Sequence, residues 1–150
     1  MRQFSHLLAV FVILLSQSAW SADTPSAPAD PELSKARELV AKKDWSSAVM
    51  TLESFTKANP ANADGFNLLG YSYRNLKRYD EALVAYKQAL KLDPKHRGAH
   101  EYIGVAYIQM GQLDKAKEHL DALDKICLFS CEEYRDLKKA YEEARKAKGG

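Results

Sequence analysis

Two cysteines, Cys127 and Cys131, are the residues whose type and spacing most directly suggest chemistry in this 150-residue chain. Thiols separated by three residues can close a short loop if the protein reaches an oxidising compartment. We therefore predict a structural disulfide between them. A redox-active pair is the weaker alternative, because such pairs usually have two intervening residues. Metal binding would need more ligands than the neighbouring sequence offers.

Histidines offer a second possible site. His96 and His100 lie four residues apart, a spacing that places both side chains on one face of a helix, where they could hold a metal ion. His100, however, is equivalent to Phe66 in the repeating pattern described next, so we interpret it as a packing residue, and we interpret His119 as exposed. The chain shows no serine, histidine and carboxylate set and no glycine-rich phosphate loop. We predict no catalytic residue, no metal and no cofactor.

Most of the chain follows a pattern of residue types that repeats every 34 positions. Two units carry a large apolar residue, a glycine, a tyrosine and then an alanine: Leu69, Gly70, Tyr73 and Ala82 in one, and Ile103, Gly104, Tyr107 and Ala116 in the next. The unit before them keeps Ala48 but is degenerate, with Lys35 and Ala36 in place of the apolar residue and the glycine. A unit of this length with helical periodicity predicts a stack of helix-turn-helix pairs. Each pair is too thin to bury its own apolar face without a neighbour.

The pattern closely resembles the tetratricopeptide repeat. The central unit carries the resemblance at ten positions: Phe66, Leu69, Gly70, Tyr73, Tyr79, Ala82, Tyr86, Ala89, Leu90 and Pro94. The resemblance implies an all-α fold, a right-handed α-solenoid of three helix-turn-helix repeats at about residues 29–62, 63–96 and 97–130. A C-terminal capping helix at about 131–147 follows, and the proline expected to close the third repeat is missing.

Several polar residues and one glycine predict where helices begin and end. Asp30 and Asp44 precede apolar periodic segments and are expected to cap helix N-termini. Gly111 suits the left-handed turn that often ends a helix. Ser130 and Glu133 have the spacing of a capping box for the last helix.

The first 21 residues have the layout of a secretory signal peptide. Arg2 precedes a charge-free apolar run, and the small residue Ser21 suits cleavage after it. Residues 22–29, rich in Ala, Pro, Ser and Asp, predict a flexible linker, and residues 30–148 the repeat domain. We expect a periplasmic protein of the small exported type that does not enter the membrane after cleavage. An uncleaved leader would instead anchor it in the inner membrane.

Successive first helices of such a solenoid line its concave wall, so the wall residues are found by stepping 34 positions. The predicted partner-binding groove combines amide, aromatic, apolar and charged side chains: Arg37, Asn67, Tyr71, Arg74, Asn75, Glu101, Tyr102, Val105, Ile108, Gln109, Arg135 and Lys139. This mixture suits an extended peptide or a partner helix. The net charge of +2 lacks the basic excess of a nucleic-acid-binding surface.

The function predicted from these features is that of a non-enzymatic scaffold or adaptor in the bacterial cell envelope, which binds a peptide or partner protein in the concave groove. A self-associating structural module is the alternative, because three repeats leave faces that a second copy could cover in a homodimer. A thiol-redox role for Cys127 and Cys131 is a third and weaker hypothesis.

Overall fold

A computed structural model describes residues 30–149 of the chain. The predicted signal peptide at 1–21 and linker at 22–29 lie outside the described residues. The described part contains seven helices and no strand: α1 (Pro31–Ala41), α2 (Trp45–Ala58), α3 (Ala63–Asn75), α4 (Tyr79–Leu92), α5 (Arg97–Gln109), α6 (Leu113–Ile126) and α7 (Glu132–Gly149). Consecutive helices pair as α1 with α2, α3 with α4 and α5 with α6, and α7 packs on both α5 and α6. The predicted all-α helical repeat fold is confirmed.

Side-chain caps start four of the helices. Asp30 Oδ1 accepts hydrogen bonds from the backbone nitrogens that open α1, and Asp44 Oδ1 accepts from the nitrogen of Ser47 at 3.2 Å. Asn62 caps α3, and the ring nitrogen of His96 caps α5. Each cap satisfies a backbone N–H that has no partner within its helix. The two predicted aspartate caps are confirmed.

The turn inside each helix pair has a left-handed residue at the same place. Gly111 has a φ of 73°, as predicted, and Lys43 and Lys77, at the equivalent positions of the first two repeats, have φ values of 58° and 60°. Left-handed backbone is costly for a residue with a Cβ atom. The first two repeats therefore adopt the same turn as the third without the glycine that favours it.

Small residues set the distance between helices. A Cβ atom on Gly70 would lie 2.6 Å from the ring of Tyr86, which is fully buried between α3 and α4. A Cβ atom on Gly104 would lie 2.5 Å from Leu137, the buried leucine of α7. The glycine of the third repeat thus receives the last helix, which covers the end of the stack.

The connection into α7 differs from the sequence prediction. The capping-box prediction is wrong, because Ser130 has a left-handed φ of 55° and α7 begins two residues later at Glu132. Glu133 instead forms an ion pair with Arg97 on α5, with an N to O distance of 3.5 Å. Cys127 and Cys131 are joined by a disulfide across this turn, with their Cα atoms 5.5 Å apart.

None of the seven helices described is both long enough and apolar enough to span a bilayer.

Candidate functional site

Three aromatic side chains from three helices form a ladder along one side of the stack. The ring of Trp45, at the start of α2, meets the ring of Tyr71 on α3 edge-on, with 5.7 Å between centroids. Tyr71 in turn contacts Tyr102 on α5 at 4.9 Å. All three residues are half-buried, so their remaining ring surface faces solvent. Aromatic rings held in this way offer rigid apolar area to a ligand at little entropic cost.

Arg74 lies over this ladder. Its guanidinium carbon is 5.1 Å from the ring centroid of Tyr71 and 5.8 Å from that of Tyr102, within the range of cation–π attraction. One terminal nitrogen donates to Gln109 on the next repeat at 3.5 Å, whereas the buried Nε atom has no hydrogen-bond partner among the described residues. Asn75 beside it donates to the backbone oxygen of Tyr71 at 2.8 Å. The Nε atom is therefore turned into the packed interior, as is the hydroxyl of Tyr86, which is also buried without a partner among the described residues.

Carboxylates gather at the other end of the ladder. Glu101 lies with Tyr102, Gly98, Glu132, Glu133 and Asp136 around a cleft of about 290 Å³ between α5 and α7. Burial, with the nearby charges of Asp136 and Glu133, raises the pKa of Glu101 to about 7. Burial also raises the pKa of Tyr102, as does the charge of Glu101. This end of the site therefore has a strongly negative potential when Glu101 is ionised.

The amide oxygen of Asn67 is a further acceptor in this region. It is buried without a hydrogen-bond partner among the described residues. A Cβ atom on Gly98, which lines the acidic cleft, would lie 3.2 Å from the Asn67 amide nitrogen. Asn67 thus connects the edge of the cleft to α3.

A second row of charges links the beginnings of the first helices. Asp64 on α3 accepts from Arg37 on α1 at 3.4 Å and contacts His96 Nε2 at 3.0 Å. Because His96 Nδ1 accepts the hydrogen bond of the Ala99 backbone nitrogen, the proton of the neutral ring lies on Nε2, which donates to Asp64. These contacts link the beginnings of α1, α3 and α5 along one rim.

The structure brings half of the twelve predicted groove residues together. The six that surround the ladder and the acidic cleft are Asn67, Tyr71, Arg74, Glu101, Tyr102 and Gln109. Asn75 lies at its edge, whereas Arg37 belongs to the row of charges with Asp64. Val105 and Ile108 are half-buried and pack on the apolar cluster of α6 and α7. Lys139 is exposed on α7.

On α7, the 34-residue step does not identify the side chains that lie near Glu101. The step pairs Glu101 with Arg135, but Arg135 donates to the backbone oxygen of Ser130 at 3.4 Å, and the α7 side chains near Glu101 are acidic. Sequence reasoning missed those acids and Trp45. The sequence does contain the carboxylates at 132, 133 and 136, but only the orientation of α7 shows that they lie beside Glu101.

The histidine pair of the third repeat was also missed. His100 is buried, as expected for a packing residue, but His119 contacts it with 3.1 Å between the two Nδ1 atoms, so the prediction that His119 is exposed is wrong. His100 Nε2 donates to the backbone oxygen of Pro94, which leaves its Nδ1 free to accept the proton of His119. Burial, with the nearby charge of His100, lowers the pKa of His119 to about 4. Among the described residues, no group of three or more potential ligands is placed to hold a metal ion.

Comparisons with known proteins identify the repeats. Residues 63–96 and 103–127 each match a family model described as tetratricopeptide repeat. Protein bimA of Emericella nidulans is 34% identical over 85 residues, which are 57% of this chain and 10% of that protein. The chain covers between 8% and 30% of the length of the curated relatives it matches.

Two solved structures have the same fold. The TPR2B domain of yeast Sti1, in a structure described as a pHsp70 complex, superposes with a TM-score of 0.72 at 23% identity, covering 77% of this chain and 94% of that one. A mutant of MamA superposes with a TM-score of 0.60 at 30% identity, covering 63% of this chain and 69% of that one.

Proposed function

Since this chain belongs to the tetratricopeptide repeat family, whose members mediate protein–protein interaction, we propose that it is a non-enzymatic scaffold that binds an extended segment of a partner protein along its inner groove. The inner groove is the surface formed by Trp45, Tyr71, Arg74, Glu101, Tyr102 and Asp136. The observation that carries the proposal is the half-exposed ladder of Trp45, Tyr71 and Tyr102, which crosses three helices and leads into the acidic cleft.

The two ends of the groove would recognise different groups. The carboxylates around Glu101 attract a basic side chain, and the rings of Tyr71 and Tyr102 offer stacking surface to an apolar or aromatic one. The guanidinium of Arg74, which lies over the rings of Tyr71 and Tyr102, suits a carboxylate of the ligand. We therefore favour a segment in which a basic residue is followed or preceded by apolar residues.

The cell envelope of a bacterium is the proposed place of action. A signal-peptide-like leader at 1–21 and a cysteine pair that the structure joins in a disulfide both suit an oxidising compartment. Mass spectrometry of the protein purified from cells would test this. A mature chain that begins at Ala22 and takes up no alkylating reagent before reduction is expected, whereas an intact leader with two free thiols would contradict export.

Binding of the peptide class can be tested with two groove variants and one control. Arg74→Ala removes the cation above the rings, and Asp136→Lys places a basic charge at the exposed edge of the acidic cleft. Lys117→Ala changes an exposed residue of α6 that pairs with Asp121 and does not line the acidic cleft. Fluorescence polarisation would be measured with labelled peptides that share apolar residues and carry a lysine, a glutamate or a glutamine at one position.

We expect the lysine peptides to bind best, because the acidic cleft complements them. Asp136→Lys should weaken them by about tenfold or more and favour the glutamate peptides, while Lys117→Ala should leave all affinities unchanged. Equal affinity of the three peptide series, or equal losses in all variants, would contradict recognition by the inner groove.

A further inference from the structure

The turn that leads into α7 exposes two large apolar side chains. Leu128 is 84% exposed and Phe129 is 95% exposed, more than any other large apolar residue of the described chain. The disulfide between Cys127 and Cys131 closes the turn, so its conformation is restricted before any contact is made. We call residues 127–131 the apolar loop. Adjacent exposed leucine and phenylalanine side chains are unfavourable in water unless another surface covers them.

An apolar pocket of about 560 Å³ lies on the second repeat. Phe66, Leu69 and Tyr73 of α3 line it, and Val84 of α4, itself 70% exposed, also borders it. These α3 residues lie on a different side of the helix from Tyr71 of the inner groove, because each residue advances the direction by ~100°. The pocket is within the ~300–1,000 Å³ range of clefts that bind small ligands and side chains.

Charges beside the two features have opposite signs. Asp80 and Glu81 line the pocket. Glu81 is already paired with Arg78, while Asp80 has no ion pair among the described residues. On the other side, Arg135 is held against the apolar loop by its hydrogen bond to the backbone oxygen of Ser130. Arg135 is exposed and has no acidic partner in the described chain.

We propose that the pocket of one chain receives Leu128 and Phe129 of a second copy, with Arg135 of the second copy facing Asp80 at the rim. The loop cannot occupy the pocket of its own chain, because both side chains are almost fully exposed in the folded monomer. The contact is heterologous, since loop and pocket are different surfaces of each chain. Each pair therefore retains one open pocket and one open loop, and the assembly grows into chains or closes into a ring. This proposal is independent of ligand binding in the inner groove.

Sedimentation equilibrium of the purified full chain tests the proposal. A two-residue anchor buries less surface than a standard protein–protein interface. We therefore expect weak association, with a dissociation constant between roughly 10 µM and 1 mM. Phe129→Ser removes the anchor, and Val84→Glu places a charge at the exposed edge of the pocket. Met50→Glu is the matched control, because Met50 occupies the position equivalent to Val84 in the first repeat, is 69% exposed and does not line the pocket.

The two disruptive variants should each raise the dissociation constant by about tenfold or more, and the control should not. Mixing Phe129→Ser with Val84→Glu provides the decisive measurement. The first variant keeps an intact pocket and the second an intact loop, so the mixture should form a one-to-one dimer and nothing larger. A charge swap of Asp80→Lys with Arg135→Glu should restore association that either change alone weakens.

Three results would overturn the proposal. The wild-type chain could stay monomeric over the whole concentration range. The mixture could stay monomeric although the wild type associates, which would exclude the pairing of loop with pocket; undiminished self-association of Val84→Glu alone would instead indicate loop-to-loop pairing. The wild-type chain could instead bind vesicles of anionic phospholipid through Phe129 while remaining monomeric without them, which would identify a membrane surface as the partner of the loop.

Discussion

Replacing Glu101 by glutamine should stabilise the protein at neutral and alkaline pH. Burial and the neighbouring acids raise the pKa of this carboxyl from 4.5 to about 7 in the folded state. The folded chain therefore holds the proton more tightly than the unfolded chain does. As the pH rises through the interval between these two values, the unfolded state loses its proton first, and the free energy of unfolding falls.

The magnitude follows from the size of the pKa change. One unit corresponds to ~1.4 kcal/mol, but Glu101 is only half-buried, so solvent screening reduces the effect. We expect Glu101→Gln to raise the free energy of unfolding by roughly 1–2 kcal/mol at about pH 8 and to change it little near pH 4.5. The neutral amide cannot ionise, so the variant should lack this part of the pH dependence.

Urea unfolding followed by circular dichroism at several pH values measures this difference directly. Glu132→Gln is the matched control, because it makes the same change at an exposed carboxylate of the same cleft. Groups that titrate in all three proteins cancel when the variants are compared with the wild type. Parallel curves for wild type and Glu101→Gln, or an equal gain for Glu132→Gln, would refute the assignment of this charge strain to Glu101.

Local geometry gives three further predictions. Gly70→Ala should lower the free energy of unfolding by about 1–3 kcal/mol, measured in urea, because the new Cβ atom would lie 2.6 Å from the Tyr86 ring; an unchanged midpoint would show that the ring can move aside. Gly111→Ala should lower the free energy of unfolding by ~1–2 kcal/mol, measured by thermal unfolding, because φ is 73° and a Cβ atom disfavours left-handed backbone; an unchanged free energy would contradict this. His119 should titrate near pH 4 by NMR, and because its folded pKa lies below the unfolded value of 6.5, stability should fall as the pH drops between these values; His119→Phe should remove that slope, and a midpoint near 6.5 would contradict burial of the pair.

The sequence alone determined the architecture of this protein. The recurrence of Gly70 and Ala82 at Gly104 and Ala116 specifies which helix faces must come close, and the same spacing specifies how many pairs stack. Asp30 and Asp44 marked two helix starts, because a cap is a local interaction within one turn. Capping acts within a few residues, and the repeat recurs at a fixed spacing. Both can therefore be recognised in the sequence without coordinates.

The composition of the inner groove was only partly readable. Stepping by one repeat finds equivalent residues, but residues in contact across repeats are offset from that step. The step leads from Tyr71 to Val105, whereas the Tyr71 ring meets Tyr102. Arg74 likewise donates to Gln109, one position beyond its repeat equivalent. The offset depends on how far one helix slides and rotates against the next.

Tertiary packing alone decided what surrounds Glu101 and what the last turn exposes. Leu137 packed on Gly104 fixes the rotation of α7, and that rotation turns Asp136 toward Glu101 and leaves Arg135 beside the apolar loop. Ser130 adopts a left-handed backbone at that turn, and the same turn leaves Phe129 exposed. These features follow from contacts between residues far apart in the chain, whose geometry exists only once the helices have docked.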